Sequence, residues 1–140
     1  MAAVLAAAGP AVAEPGGGAD LQVTVTGLRS GRGQVMACLA AGPEAFPDCR
    51  GPVSRHAKVP AAMGEVTLDF GAVPPGTYAI SLFHDENGNG KLDKVMLIPR
   101  EGFGFSRDAP VRMGPPSYSS AAFAAGAKPE HLKVKLRYML

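Results

Sequence analysis

The sequence predicts an all-β fold: an antiparallel β-sandwich of about seven strands, with one long elaborated loop near residues 95–123. Three observations carry this. Apolar and polar residues alternate at period two in separate short segments along the chain. Glycine (18 residues) and proline (13) exceed ordinary usage and fall between those segments as turn signals. Beyond the N-terminal stretch, no segment shows a 3.6-residue apolar period bounded by caps.

The strands follow in order. Leu21, Val23 and Val25 alternate with Gln22, Thr24 and Thr26, and Gly27 to Gly33 reads as the turn that follows. Val35, Ala37 and Leu39 form one face of a second strand, and a weaker third runs near Val53 to Val59. Val66, Leu68 and Phe70 alternate with Glu65, Thr67 and Asp69 in a fourth. Pro74-Pro75-Gly76 is a turn, and Tyr78, Ile80 and Leu82 follow it as a fifth strand. That strand also carries Ala79, Ser81 and Phe83, so it is expected at the centre of a sheet with both faces covered. In the last strand Leu132, Val134, Leu136 and Tyr138 alternate with His131, Lys133, Lys135 and Arg137. The basic side of that strand reads as a solvated face that discourages edge pairing.

Length and composition bound the rest. A chain of 140 residues fits one domain. The expected division is a signal-peptide remnant at 1–13, a flexible linker at 14–19 and a single sandwich domain at 20–140. A net charge of +2 is too small to make nucleic acid the main partner. No apolar run is long enough to span a bilayer as a helix. Two cysteines exclude a four-cysteine zinc site.

Residues 2–13, AAVLAAAGPAVA, match the apolar region and small-residue cleavage site of a secretory signal, without its basic n-region. Periplasmic or secreted localisation is therefore expected. Cys38 and Cys49 fit that compartment, because they flank a turn-rich stretch, LAAGPEAFPD, and are predicted to form a disulfide. Closing such a loop is worth about 3 kcal/mol in the chain-entropy description.

The chemistry-bearing segment is His84-Asp85-Glu86-Asn87-Gly88-Asn89-Gly90-Lys91-Leu92-Asp93. Its spacing follows a calcium loop, with side-chain oxygens of Asp85, Asn87 and Asn89 at alternate positions and Gly90 at the sharp turn. The Lys91 carbonyl and Asp93 would follow in that pattern. Met96 stands where a bidentate glutamate belongs, so binding is expected to be weak, with Glu101 or Asp108 reaching back to complete the shell. The competing reading is an Asx-rich turn without metal, in which Asn-Gly pairs supply positive φ. His84 reads as a solvated strand-end histidine, with a hydrogen bond to Asp85 as the alternative.

The runs VPPGTYAISLFHDENGNGKLD, IPREGFGFS and GPPSYSSAAF resemble the bacterial domain-of-unknown-function family 2141. The resemblance covers roughly residues 20 to 138. It implies small exported proteins with transthyretin-like, Ig-like sandwiches related to carboxypeptidase-regulatory domains, and it implies no particular activity. The two cysteines lie outside that pattern, so their bridge rests on the local reading above.

Enzyme readings are weak. Ser106 lies in Gly104-Phe105-Ser106-Arg107-Asp108, which lacks the second glycine of a nucleophile elbow. The histidines show no metal-ligand spacing, and Glu86 with Glu101 offers only a bare acid–base pair. Residues 95–123 hold four prolines and four of the nine aromatics. Phe103, Phe105, Tyr118 and Phe123 there are candidate lining for a ligand groove; alternatively they staple the loop onto the sandwich. The expected function is a non-catalytic exported binding or structural module with a candidate calcium loop at 85–93. Its partner would be a protein or small ligand. The alternatives are an assembly domain without metal or ligand, and a small-molecule or glycan-binding domain or enzyme using the aromatic loop.

Overall fold

The structure, a computed structural model, describes residues 18–49, 55–91, 94–95, 98–112 and 114–139. The signal segment at 1–13, most of the linker, and Asp93 and Met96 of the acidic loop lie outside the described residues.

Two sheets face each other. The first holds β10 (Glu130–Lys135), β1 (Ala19–Leu28) and β4 (Gly64–Val73) in that order. The second runs β3 (Arg55–Pro60), β2 (Gln34–Ala40), β5 (Gly76–Asp85) and β8 (Phe103–Phe105), with β9 (Phe123–Ala125) pairing the other end of β5. A small hairpin, β6 (Lys94–Val95) with β7 (Ile98–Pro99), stands apart. All pairings are antiparallel except β1 with β10, which are parallel in the register Val23↔Leu132. A parallel pair needs a long crossover, and here nearly the whole chain intervenes.

The period-two segments become these strands because alternation leaves one apolar face to bury. Leu21, Val23 and Val25 of β1, Leu68 and Phe70 of β4 and Val134 of β10 point inward against Val35, Ala37 and Leu39 of β2 and Tyr78, Ile80 and Leu82 of β5. Side chains wholly withdrawn from water, such as Leu21, Leu68 and Ile80, each stabilise the fold by about 1.5–3 kcal/mol. The opposite face of the first sheet is polar, as the alternation requires. There Thr24 Oγ1 lies 2.6 Å from His131 Nε2 and 3.3 Å from Thr67 Oγ1.

Around β5 the second sheet is covered on both sides, which explains the two apolar faces of that strand. Its outer side carries a second cluster of Ala79, Phe103, Phe105, Ala109 and Ala121, packed by Phe46, Phe83, Val111 and Tyr118. Much of the cover comes from the segment expected as an elaborated loop. That segment is more regular than an open loop: β8 is a strand paired to β5 in the register Ser81↔Phe105 and Phe83↔Phe103. A single helical turn, α1 (Tyr118–Ala121), then sits under a Ser117 cap, whose side chain accepts from the Ser120 N–H. Among the described residues no helix is long and apolar enough to cross a membrane.

Candidate functional site

The outer face of the second sheet forms a groove. Strand register sets its floor, because cross-strand partners share a face. His56 on β3 lies opposite Cys38 on β2, and Cys38 lies opposite Ser81 on β5. One step along, Met36 pairs with Phe83, and Phe83 with Phe103 of β8. The groove has a volume of about 630 Å³, and its rim includes Pro47, Cys49, Val111, Pro115 and Met139.

Covalent and aromatic contacts hold the rim. Cys38 and Cys49 form the predicted disulfide, with Cα atoms 5.6 Å apart. The bridge ties the 43–49 segment down beside β2, and Ser81 Oγ donates to the Pro47 carbonyl at 2.7 Å. Phe46 of that segment packs edge-on against Phe105 and Tyr118, with centroids 5.8 and 6.1 Å away. Phe103 and Phe105 line the groove, and Tyr118 supports its wall through Phe46. Phe123 does not join them: it packs on Tyr78 in the main core, with centroids 6.4 Å apart. The four candidate aromatics therefore divide between groove and core, since β9 turns Phe123 toward the sandwich interior.

The acidic loop lies at one end of β5. Asp85 is completely buried and both of its carboxylate oxygens accept hydrogen bonds. Oδ1 accepts from the Asn89 N–H at 3.1 Å, and Oδ2 accepts from the Gly90 N–H at 2.8 Å and from Gln34 Nε2 at 2.9 Å. Asn87 Oδ1 accepts from the same Asn89 N–H at 3.2 Å, and Asn89 Oδ1 accepts from the Lys91 N–H at 2.9 Å. These are Asx turns, aided by positive φ at Gly88 and Gly90. Glu101 is buried and its Oε2 accepts from the Glu86 N–H at 2.8 Å. Asp108 is elsewhere, accepting from the Lys135 N–H at 2.9 Å. Among the described residues no three His, Cys, Asp or Glu side chains gather as a metal-holding group.

His84 corrects the expectation of a solvated strand end: it is completely buried and does not bond Asp85. Its Nε2 lies 2.7 Å from the Arg32 carbonyl and its Nδ1 2.8 Å from the Tyr138 hydroxyl. A carbonyl can only accept, so Nε2 carries the proton, and in the neutral ring Nδ1 accepts from the phenol. The Tyr138 oxygen in turn accepts from the Arg29 N–H at 3.1 Å. Burial holds the Tyr138 phenol above its ordinary range, so it stays a donor. Gly33 makes this junction possible: its φ is +73°, and a Cβ there would overlap the Asp85 carbonyl oxygen.

Glu86 is held by Arg29 at 2.7 Å and by Arg32 at 3.3 Å, and it accepts from Ser30 Oγ at 2.9 Å. The Arg29 hydrogen bond, helped by Ser30 and outweighing burial, lowers its carboxyl to a pKa of about 2. The Arg29 guanidinium also lies 4.3 Å over the Tyr138 ring. Glu86 and Glu101 are thus built into the frame of this end. Ser106 belongs to the frame farther along β5, where it is buried, accepts from the Ile80 N–H at 2.9 Å and donates to the Ala121 carbonyl at 2.6 Å. Arg29, Arg32, Gln34 and Tyr138 escaped the sequence reading, because only sheet register brings them to the acidic loop.

Neither the curated proteins nor the solved structures contain a match to this chain. A family model does match, over residues 23–133, and its description is "Uncharacterized protein conserved in bacteria". The match spans most of the sandwich, from β1 into β10, and on that ground the chain belongs to the family DUF2141.

Proposed function

We propose that this chain is an exported binding module that takes an apolar ligand in the groove on the outer face of the second sheet. The groove itself carries the reading. Its volume of about 630 Å³ falls in the range of small-molecule sites. Met36, Phe83, Phe103 and Phe105 give it an apolar floor, with Ser81 and His56 as polar points. The Cys38–Cys49 bridge suits an oxidising compartment and supports export. The test is equilibrium binding of an apolar fluorescent probe, anilinonaphthalene sulfonate, to wild type and to Met36→Glu. Wild type should bind in a saturable way, and the variant should lose binding while melting at a similar temperature. Equal binding by both proteins would move the site elsewhere.

A second reading adds a weak calcium ion to the acidic loop. The observation in its favour is that Asp85 Oδ1 and Asn87 Oδ1 converge on one N–H, that of Asn89. Two oxygens of the calcium pattern are thereby brought together, with Asn89, the Lys91 carbonyl, Asp93 and Glu101 as the remaining donors. The ion would serve stability and no chemistry. At ten times its dissociation constant, calcium would add about 1.4 kcal/mol. Melting in calcium should therefore exceed melting in chelator by several degrees, and Asp85→Asn should abolish the difference. Identical wild-type melting in both would leave the segment as an Asx-rich turn.

A further inference from the structure

The two sulfurs of the disulfide sit in different surroundings. Cys38 is only 7% exposed, within β2, whereas Cys49 is half-buried on the rim of the groove. Both nitrogens of the His56 ring lie 3.5 Å from Cys49 Sγ. His56 itself is exposed on β3 and reaches the sulfur from the solvent side of the sheet. Cys49 also sits at φ +63°, in the left-handed region that a residue with a Cβ rarely occupies. Access, an adjacent imidazole and local backbone strain thus meet at one sulfur of the pair.

We infer that Cys38–Cys49 is an exchangeable redox pair, with Cys49 as the interchange sulfur, Cys38 as the resolving one and His56 as the group that stabilises the Cys49 thiolate. The substrates are thiols and disulfides, and while the bridge is intact the groove beside it accommodates a thiol carried on an apolar peptide segment. In the oxidising direction a substrate thiolate attacks Cys49 Sγ. The new sulfur–sulfur bond forms as the bond to Cys38 breaks, and the electron pair leaves on Cys38, which takes a proton from solvent. A second thiol of the substrate then displaces Cys49, leaving the substrate as a disulfide and the pair as a dithiol. In the reducing direction the Cys49 thiolate attacks a substrate disulfide and expels one thiolate. Cys38 then attacks Cys49 Sγ and releases the other. An imidazole N–H beside Cys49 favours its thiolate, which both leaves and attacks more readily than a thiol. The exchange does not depend on a resident ligand in the groove.

The experiment uses the full chain, reduced, with oxidised glutathione as the probe. Cys38→Ser should accumulate a mixed disulfide at Cys49, read by mass, whereas Cys49→Ser should react far more slowly at the buried Cys38. Adding His56→Ala to Cys38→Ser should slow capture about tenfold, although this exposed edge-strand residue contributes little to the core. Partial alkylation of reduced wild type, with peptide mapping, reads the same preference without removing either cysteine and should label Cys49 first. Equal reactivity of the two cysteines, or capture unaffected by loss of His56, would overturn the assignment and leave the bridge purely structural.

Discussion

Glu86 shows how one residue of the acidic run is committed to the frame of the protein. Its side chain is 8% exposed, yet both of its cationic partners reach solvent, with Arg29 at 40% and Arg32 at 73%. The arrangement lies between a surface ion pair, worth little, and a buried one, whose disruption strands a charge. Replacing the carboxylate by an amide in Glu86→Gln should cost about 2 kcal/mol at neutral pH. The pH dependence follows from the direction of the shift. Folding lowers this carboxyl from an ordinary 4.5 to about 2. Its stabilisation is therefore complete above pH 4.5 and fades as the pH falls toward 2. Chemical denaturation of wild type and variant across that window should show the stability gap closing in acid. A gap that stays constant through the window would mean that the ion pairs do not hold in solution.

At the scale of the element, β8 explains the GFGF string. Phe103 and Phe105 face the outer cluster, while Gly104 faces the sandwich, where a Cβ would lie 2.7 Å from Val134 Cγ1 and 3.1 Å from the Lys135 carbonyl. β8 also meets the end of the last strand through the Phe103↔Arg137 bridge, so the two sheets close on each other at this edge. Gly104→Ala should overpack that closure and cost about 1–3 kcal/mol, read as a lowered denaturation midpoint with an unchanged slope. No loss would mean that β8 stands farther from β10. The six long strands were legible in the sequence because alternation needs only neighbouring residues, and β5 was legible as central because both of its faces are apolar. β8 was not, because three residues with a glycine at the centre give no period to read. The parallel pairing of β1 with β10 was equally hidden, since it depends on which edge the returning chain meets. The same reason hides the partners of His84: its spacing from Tyr138 is set by sheet register and by no local pattern. The calcium pattern was visible as spacing alone, whereas the N–H groups that now occupy its oxygens belong to the folded turn.

For the molecule as a whole, stability and the groove are coupled through the one covalent cross-link. The bridge closes a loop between residues 11 apart in sequence, a constraint worth about 3 kcal/mol in the unfolded chain. It does not cross the main core, whose inner faces belong to strands that pair without it. What it fastens is the 43–49 segment, and through Phe46 the wall formed with Phe105 and Tyr118. Reduction should therefore act at two levels. The melting temperature should fall by about 10 °C for a domain of this size, and the groove should lose its shape before the sandwich unfolds. Near room temperature the reduced protein should keep the far-ultraviolet dichroism of the sheets while binding anilinonaphthalene sulfonate less tightly and with altered fluorescence. Cys38→Ala with Cys49→Ala should reproduce both effects without reductant, which separates loss of the bond from any other action of the thiol reagent. If the double variant melts with wild type and binds the probe as well, the 43–49 segment is held by its aromatic contacts alone, and the bridge contributes neither to stability nor to the groove.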